Sequence, residues 1–320
     1  MVVVDLDRAK SEYRVPAMSS SVVIGASRAE APPTLSQWDV DVALTSAADP
    51  PAPWVACTDL DQELEALAAR IGDRPSASVT LAHVLRSSAG LSIPKALVVE
   101  SLAYSALQSG PEFRTWLAER RTMVAKAATG DPVVVVREGS RLTITLNRPE
   151  AHNAYNASMR DGLCDALSIA VADPTLEEVH LVGAGPSFCS GGDLAEFGTF
   201  SDPVSAHLIR TSQSPARLLG CLAGRVTAHL HGSCVGSGIE LPAFAGTVLA
   251  DPASVFKLPE VEMGLIPGAG GTVSIARRIG RRRTAWLVLS GRSIDAPTSQ
   301  TWGLVDRLVP RVLGPSPDRP

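Results

Sequence analysis

Apolar residues change their spacing near residue 130. Before that point, DLDQELEALAARIG (Asp59 to Gly72) opens on an Asp cap, places Leu60, Leu64, Leu67 and Ile71 at helical intervals and stops at Gly72. A second helix is predicted over Ile93 to Ser109, where Pro94 suits a first turn and Gly110-Pro111 is the stop; a third follows from Glu112 to about Ala128. Residues 1–53, rich in Ala, Ser and Pro, keep no period and are expected to be mostly irregular. Residues 1–130 are therefore expected to form an all-helical extension ahead of a catalytic core at 131–320. Leu97, Leu102, Leu107, Phe113 and Trp116 should pack on that core, since they would otherwise stay wet.

After Pro132 the period shortens. VVVVREGSRLTITLNRP reads as two strands around Glu138-Gly139-Ser140, the second alternating Leu142, Ile144 and Leu146. Helix (Ala157 to Val171), strand (Glu177 to Gly185), helix (Ser205 to Leu222) and strand (Arg225 to Leu230) follow. Such alternation predicts an α/β core built from right-handed crossovers.

The chain has 320 residues, 45% of them hydrophobic, which is enough for a sizeable core. A formal charge of -4 and the lack of a long basic block argue against a nucleic-acid partner. The run RRIGRRR (Arg277 to Arg283) reads as a helix C-terminus with a solvated face. No apolar stretch nears the ~20 residues of a membrane span, and the N-terminus lacks a basic flank, so a cytoplasmic protein is expected. Five scattered cysteines without CxxC spacing predict neither a disulfide framework nor a zinc site. His229 and His231, on one face of a strand with no third ligand, predict no metal centre. VVIGAS (Val22 to Ser27) lacks the remaining glycines of a dinucleotide loop, and PGAGGT (Pro267 to Thr272) lacks the P-loop lysine. An aromatic content of 4% argues against a pocket rich in stacked rings.

Two short runs carry the candidate chemistry. GPSFCSGGDLAEF (Gly185 to Phe197) and HGSCVGSGIELPAF (His231 to Phe244) each place small residues where backbone N–H groups can approach a ligand oxygen, as the halves of an oxyanion hole would. The second leads into KLPEVEMGLIPGAGG (Lys257 to Gly271), which puts Glu260 after Glu240. Two carboxyls suit hydration of an unsaturated thioester, one deprotonating water and the other protonating carbon, and closely spaced like charges raise one pKa. In an extended segment Glu262 would share a face with Glu260. Asp193 suits a turn or cap holding the first run, Asp306 a surface role, and Cys189 a packing role rather than a nucleophile's.

With TLNRPEAHNA (Thr145 to Ala154) and WGLVDRLVP (Trp302 to Pro310), these runs make five ordered motifs in which the chain, from about Pro132 to Pro310, resembles the crotonase (enoyl-CoA hydratase/isomerase) superfamily. The resemblance implies a ββα-repeat core, oxyanion-hole N–H groups from Gly192 and Ser237, and a catalytic acid and base at Glu240 and Glu260, the last selected over Glu262 by this match alone. It also places Ala154, Ser190, Gly191, Asp193, Leu194 and Gly236 around the substrate. An acyl-CoA thioester is the expected ligand, with CoA part of the substrate and no further cofactor, and a homo-oligomer, most simply a trimer, is the expected assembly. Hydration leads; isomerase, hydrolase, decarboxylase and cofactor-free oxygenase chemistry, or a non-catalytic binding subunit, are the alternatives. Ser237 and Leu258 depart from the family pattern, and the Ser237 hydroxyl is expected beside the thioester. Where the family continues through C-terminal helices this chain has a short Pro-rich tail, a shortened C-terminus for which the helices between Asp59 and Ala128 are expected to substitute.

Overall fold

The computed structural model describes residues 1–9, 13–14, 19–120, 130–199 and 202–311. Six strands precede the first helix: β1 (Val2–Asp5), β2 (Tyr13–Arg14), β3 (Val23–Ser27), β4 (Trp38–Asp39), β5 (Val42–Thr45) and β6 (Val55–Ala56). β1, β3, β5 and β6 form a parallel four-stranded sheet in that order, and β2 pairs with β4. The extension is therefore not all-helical: short strands, β1 to β5, punctuate the irregular backbone described within residues 1–53. Every position of β3 and β5 is buried. Strands covered on both faces lose the apolar-polar alternation that marks a half-exposed strand, so they read as short apolar runs without a period. VVIGAS supplies β3, and the Ser27 hydroxyl and Arg28 N–H that follow donate to the Asp7 carboxylate.

Four helices follow: α1 (Leu60–Asp73), α2 (Pro75–Ser87), α3 (Ile93–Gln108) and α4 (Pro111–Glu119). Asp59 caps α1, accepting from the Gln62 N–H at 3.0 Å. α2 was not expected; serine, threonine and histidine interrupt its apolar face, although Leu81 and Leu85 are buried. The remainder of the expected third helix, residues 121–129, lies outside the described residues.

In the second part, β7 (Val133–Glu138) and β8 (Arg141–Leu146) form the expected hairpin around Gly139. After α5 (Ala157–Ala172) come β9 (Glu178–Gly183), α6 (Pro203–Ser212), α7 (Pro215–Leu222), β10 (Val226–Leu230), β11 (Ser233–Val235), α8 (Ser237–Glu240), β12 (Thr247–Ala250), β13 (Val255–Lys257), α9 (Gly271–Ser290), β14 (Ile294–Asp295), α10 (Ala296–Trp302) and β15 (Arg307–Leu308). A six-stranded sheet runs β15-β12-β10-β9-β8-β7, with β7 antiparallel to its neighbour, and β11, β13 and β14 form a second sheet. The single helix expected over Ser205 to Leu222 is broken: Ser214 caps α7 through the Arg217 N–H, and Pro215 has no N–H to continue α6.

One buried apolar cluster runs through both parts, from Ile24, Leu44 and Leu81 to Leu167, Phe256 and Leu287. The basic run is part of the join rather than a solvated helix end. It sits inside α9, around a break at Gly280 where φ is +79°. Arg281 pairs with Asp39 and Asp41, Arg282 donates to the Trp38 and Val40 carbonyls, and Arg283 donates to Trp54 while lying over the Trp302 ring. Long guanidinium side chains thus satisfy the carbonyls and carboxylates at the edge of the N-terminal sheet. His229 and His231 do not share a strand, because β10 ends at Leu230: His229 meets His180 at 2.8 Å, whereas His231 meets the Gly185 carbonyl at 3.0 Å.

Leu81, fully buried on the α2 face that packs against α9, tests the shared core. Leu81→Ala is expected to destabilise the whole chain by about 2–5 kcal/mol, shifting one denaturant transition seen alike by fluorescence and far-UV circular dichroism. Two separated transitions, with the second unmoved, would show that the N-terminal part folds by itself.

Candidate active site

The two glycine-containing runs lie side by side because their backbones pair. Cys189 and Cys234 form a parallel bridge, with the Val235 N–H donating to the Cys189 carbonyl at 3.0 Å. A Cβ on Gly238 would fall 2.3 Å from the Cys189 carbonyl oxygen, so only glycine allows α8 this close to the first run. On the other side, Tyr155 brackets Gly192: its N–H donates to Gly191 O and its carbonyl accepts from Asp193 N, both at 2.8 Å. Asn153, in the TLNRPEAHNA motif, is fully buried and clamps the first run by donating to the Ala184, Ser187 and Phe188 carbonyls. Asp193 accepts from Arg148 and from the Ala195 N–H, so its work is to hold the loop.

Gly192 and Ser237 each keep an N–H without an intramolecular acceptor among the described residues. Ser190, Gly191, Gly192, Asp193, Leu194, Gly236 and Ser237 all line one cavity of about 670 Å³. Ala154 does not; its carbonyl accepts from Arg148 one residue short of Tyr155, which does line it. The Ser237 hydroxyl lies 3.7 Å from Cys189 Sγ, in a residue that lines the cavity. Burial pushes the Cys189 thiol up to about 11, which disfavours the thiolate that a nucleophile needs.

Glu240 and Glu260 converge on Gly236. A Cβ built there would lie 2.8 Å from Glu260 Oε1 and 3.7 Å from Glu240 Oε1. Glu240 is held by the Ala269 and Gly271 N–H groups, both on Oε2, at 2.8 and 2.9 Å. Burial raises its carboxyl to about 7 despite those bonds. Burial, followed by the Glu240 charge, lifts Glu260 well above the usual carboxylate range, and Glu260 Oε2 has no hydrogen-bond partner. Glu262 is exposed: the segment is a 3-10 turn, Glu260–Met263, so the face expected of an extended chain does not exist.

The N-terminal part builds the opposite wall. Leu97, Glu100, Ser101, Tyr104 and Gln108 of α3 and Trp116 of α4 line the cavity. Glu100, only 2% exposed, was not anticipated as a site residue. Its carboxylate accepts from Gly270 N at 2.7 Å, Thr272 N at 2.9 Å and the Thr272 hydroxyl at 2.6 Å. Burial and the Glu240 charge push it up to about 8. The missed signal is a polar stripe at helical spacing: Glu100, Ser101, Tyr104, Ser105 and Gln108 face inward, while Val98 and Leu102 are exposed. Leu102, expected to pack on the core, is 53% exposed; Leu107 and Phe113 are buried, and Leu97 and Trp116 are partly buried. The low aromatic content was also misleading, because rings gather here. Phe113 and Trp116 stack at 5.8 Å, Phe197 meets both at steep angles 6.0–6.4 Å away, and Trp116, Phe197, Tyr104 and Tyr155 line the cavity. Among the described residues, no group of three or more His, Cys, Asp or Glu is disposed to hold a metal ion.

Gly236, at φ +50°, allows the second run to turn into α8 between the two carboxyls. Gly236→Ala is expected to cost about 1–3 kcal/mol in backbone strain alone, measured by denaturant unfolding, and to displace Glu260. An alanine variant of unchanged stability would contradict the packing described.

The sequence model of the family described as enoyl-CoA hydratase/isomerase matches residues 137–313. The 2,3-dehydroadipyl-CoA hydratase of Escherichia coli is 33% identical over 181 residues, covering 57% of this chain and 70% of that protein. The Mycobacterium tuberculosis protein named "Probable enoyl-CoA hydratase echA8" is 31% identical over 184 residues, with the same coverage. The fold matches a solved enoyl-CoA hydratase/carnithine racemase from Magnetospirillum magneticum with a TM-score of 0.52 at 30% identity, over 57% of this chain and 69% of that one. Paired glycine runs, converging carboxyls and a family match over more than half its length place this chain in the enoyl-CoA hydratase/isomerase family, the crotonase superfamily.

Proposed function

We propose that this protein adds water across the double bond of a 2-enoyl-CoA thioester. The observation that carries the reading is the convergence of Glu240 and Glu260 on Gly236, beside two N–H groups with no intramolecular acceptor among the described residues. The thioester oxygen would accept from the Gly192 and Ser237 N–H groups, which stabilise the charge it gains by roughly 2.7–4 kcal/mol per donor. Water held between the carboxyls gives a proton to the ionised one as its oxygen bonds to C3. The π electrons move to C2 and the thioester oxygen, and the protonated carboxyl then delivers its proton to C2. Raised carboxyl pKa values favour this division, because one member of a buried pair stays protonated near neutral pH. Hydration neither oxidises nor reduces, so CoA carried by the substrate is the only group required.

The acyl chain would extend from the oxyanion loops toward Leu97 and Trp116, which line the same cavity. The relatives named hydratases support the reaction class. We also place the protein in the cytoplasm as a homo-oligomer, most simply a trimer. Scattered unpaired cysteines are consistent with the former, and exposed Leu102, Val204 and Leu208 with the latter. No helix among the described residues is long and apolar enough to cross a membrane. A light-scattering mass of one chain at micromolar concentration would contradict the oligomer.

A panel of enoyl-CoA thioesters, followed by loss of enoyl absorbance and by gain of one water in mass, tests the reaction. Glu240→Gln and Glu260→Gln are each expected to lower kcat by about 10²–10⁴ with little change in thioester affinity. If neither variant slows a thioester that the parent protein hydrates, the assignment of these carboxyls is wrong; if only Glu260→Gln does, one-base isomerase chemistry is the better account. Trp116→Ala is expected to raise KM more than it lowers kcat, and an unchanged KM would remove the acyl chain from that wall.

A further inference from the structure

Glu100 takes no part in the hydration step and lies ahead of the family-matched span, which begins at residue 137. Yet four consecutive N–H groups leading into α9 are divided between it and Glu240. Ala269 and Gly271 donate to Glu240, while Gly270 and Thr272 donate to Glu100. The N-terminal N–H groups of a helix carry partial positive charge and have no partners within the helix, so this array draws two carboxylates to one place. Each polar contact of Glu100 is an acceptance, which favours its anion, while burial and the Glu240 charge oppose it. Other charges face it from every side: Tyr104 one turn along α3, Arg210 of α6 over the Tyr104 ring, Glu240 of α8 and Glu260 of the 3-10 turn. His207 of α6 is held by Ser101, next to Glu100 in sequence. Arg210 is bonded to Ser101, Ser105 and Gln108 and forms no ion pair with a carboxylate among the described residues. Three buried carboxyls faced by Arg210 and, at Glu260, by Lys257 cannot all ionise near neutral pH, so their protons are held in common.

We propose that Glu100 is a positioning residue that shares the site's negative charge with Glu240 through the N–H groups at the start of α9, and so sets the pH range in which the Glu240–Glu260 pair holds its one proton. The proposal rests on the hydratase reading for its kinetic consequence but not for its titration. As Glu100 ionises toward its raised value of about 8, its anion keeps the proton on the pair. Removing that anion lets the pair lose its proton at lower pH.

The test is the pH profile of kcat/KM for an accepted enoyl-CoA, compared between the parent protein, Glu100→Gln and Thr272→Val. Glu100→Gln should move the alkaline limb of the profile to lower pH by about one unit, the size at which neighbouring titrations become interdependent, and leave the acid limb, set while Glu100 is neutral, in place. Thr272→Val deletes the hydroxyl donor to Glu100, weakens its anion and should give a smaller shift of the same sign, even if the glutamine variant folds poorly. A uniform fall in rate with both limbs in place would reduce Glu100 to a structural cap and overturn the proposal.

A second arm needs no substrate. In the folded chain Glu100 keeps its proton up to about 8, whereas unfolded it loses it near 4.5. The folded state then binds more protons across that window, and stability falls as pH rises through it. Glu100→Gln should flatten the decline of Tm between these limits, and an unchanged slope overturns the proposal whatever the activity. If the parent protein hydrates no enoyl thioester, the hydratase reading fails and the slope of Tm decides the role of Glu100.

Discussion

The first N–H groups of α9 organise this site. Residues 269–272 have no helical partner for their N–H groups, and the chain answers with carboxylates from two directions: Glu240 from the short helix after the second glycine run, and Glu100 from α3. An unmet buried N–H costs about 1–3 kcal/mol, so these bonds tie α3, α8 and α9 together as well as fixing the acid groups. Through α3 they also fix Tyr104, which packs against Gly268 and lines the cavity beside both carboxyls. The N-terminal part is thus a wall of the site, held to it by hydrogen bonds that the family-matched part cannot make alone.

Electrostatics follows from that geometry. Glu100, Glu240 and Glu260 are all nearly excluded from water, and each carboxyl is raised, with burial as the leading cause. Hydrogen bonds to Glu100 and Glu240 pull the other way, whereas Glu260 Oε2 meets no donor. The pair is therefore asymmetric: one member is solvated by backbone dipoles and the other is not. Such asymmetry sets the proton affinities of two neighbouring carboxyls apart.

Much of the site could be read from the sequence because its chemistry sits in short local runs. Gly192, Ser237, Glu240 and Glu260 all border one cavity, and the hairpin at Gly139 with Leu142, Ile144 and Leu146 buried follows the alternation of the sequence. The N-terminal sheet escaped because β3 and β5 are buried on both faces, which erases the period. Glu100 escaped for the opposite reason. α3 turns its polar stripe inward and leaves Leu102 wet, so a reading that sends apolar residues to the core picks the wrong face. A lone glutamate in an otherwise apolar helix, aligned with Ser101, Tyr104 and Ser105, was the available signal. The arginine run misled similarly, since Arg281, Arg282 and Arg283 meet carbonyls and carboxylates more than two hundred residues away in sequence.

The most direct measurement of this account is a carbon-13 titration of side-chain carboxyls in glutamate-labelled protein, with each resonance assigned by substitution. The account predicts three carboxyls titrating well above the ordinary 4.5, assigned to Glu100, Glu240 and Glu260, with loss of any one moving the other two lower. A Glu100 carboxyl that titrates near 4.5, indifferent to the state of Glu240, would contradict it.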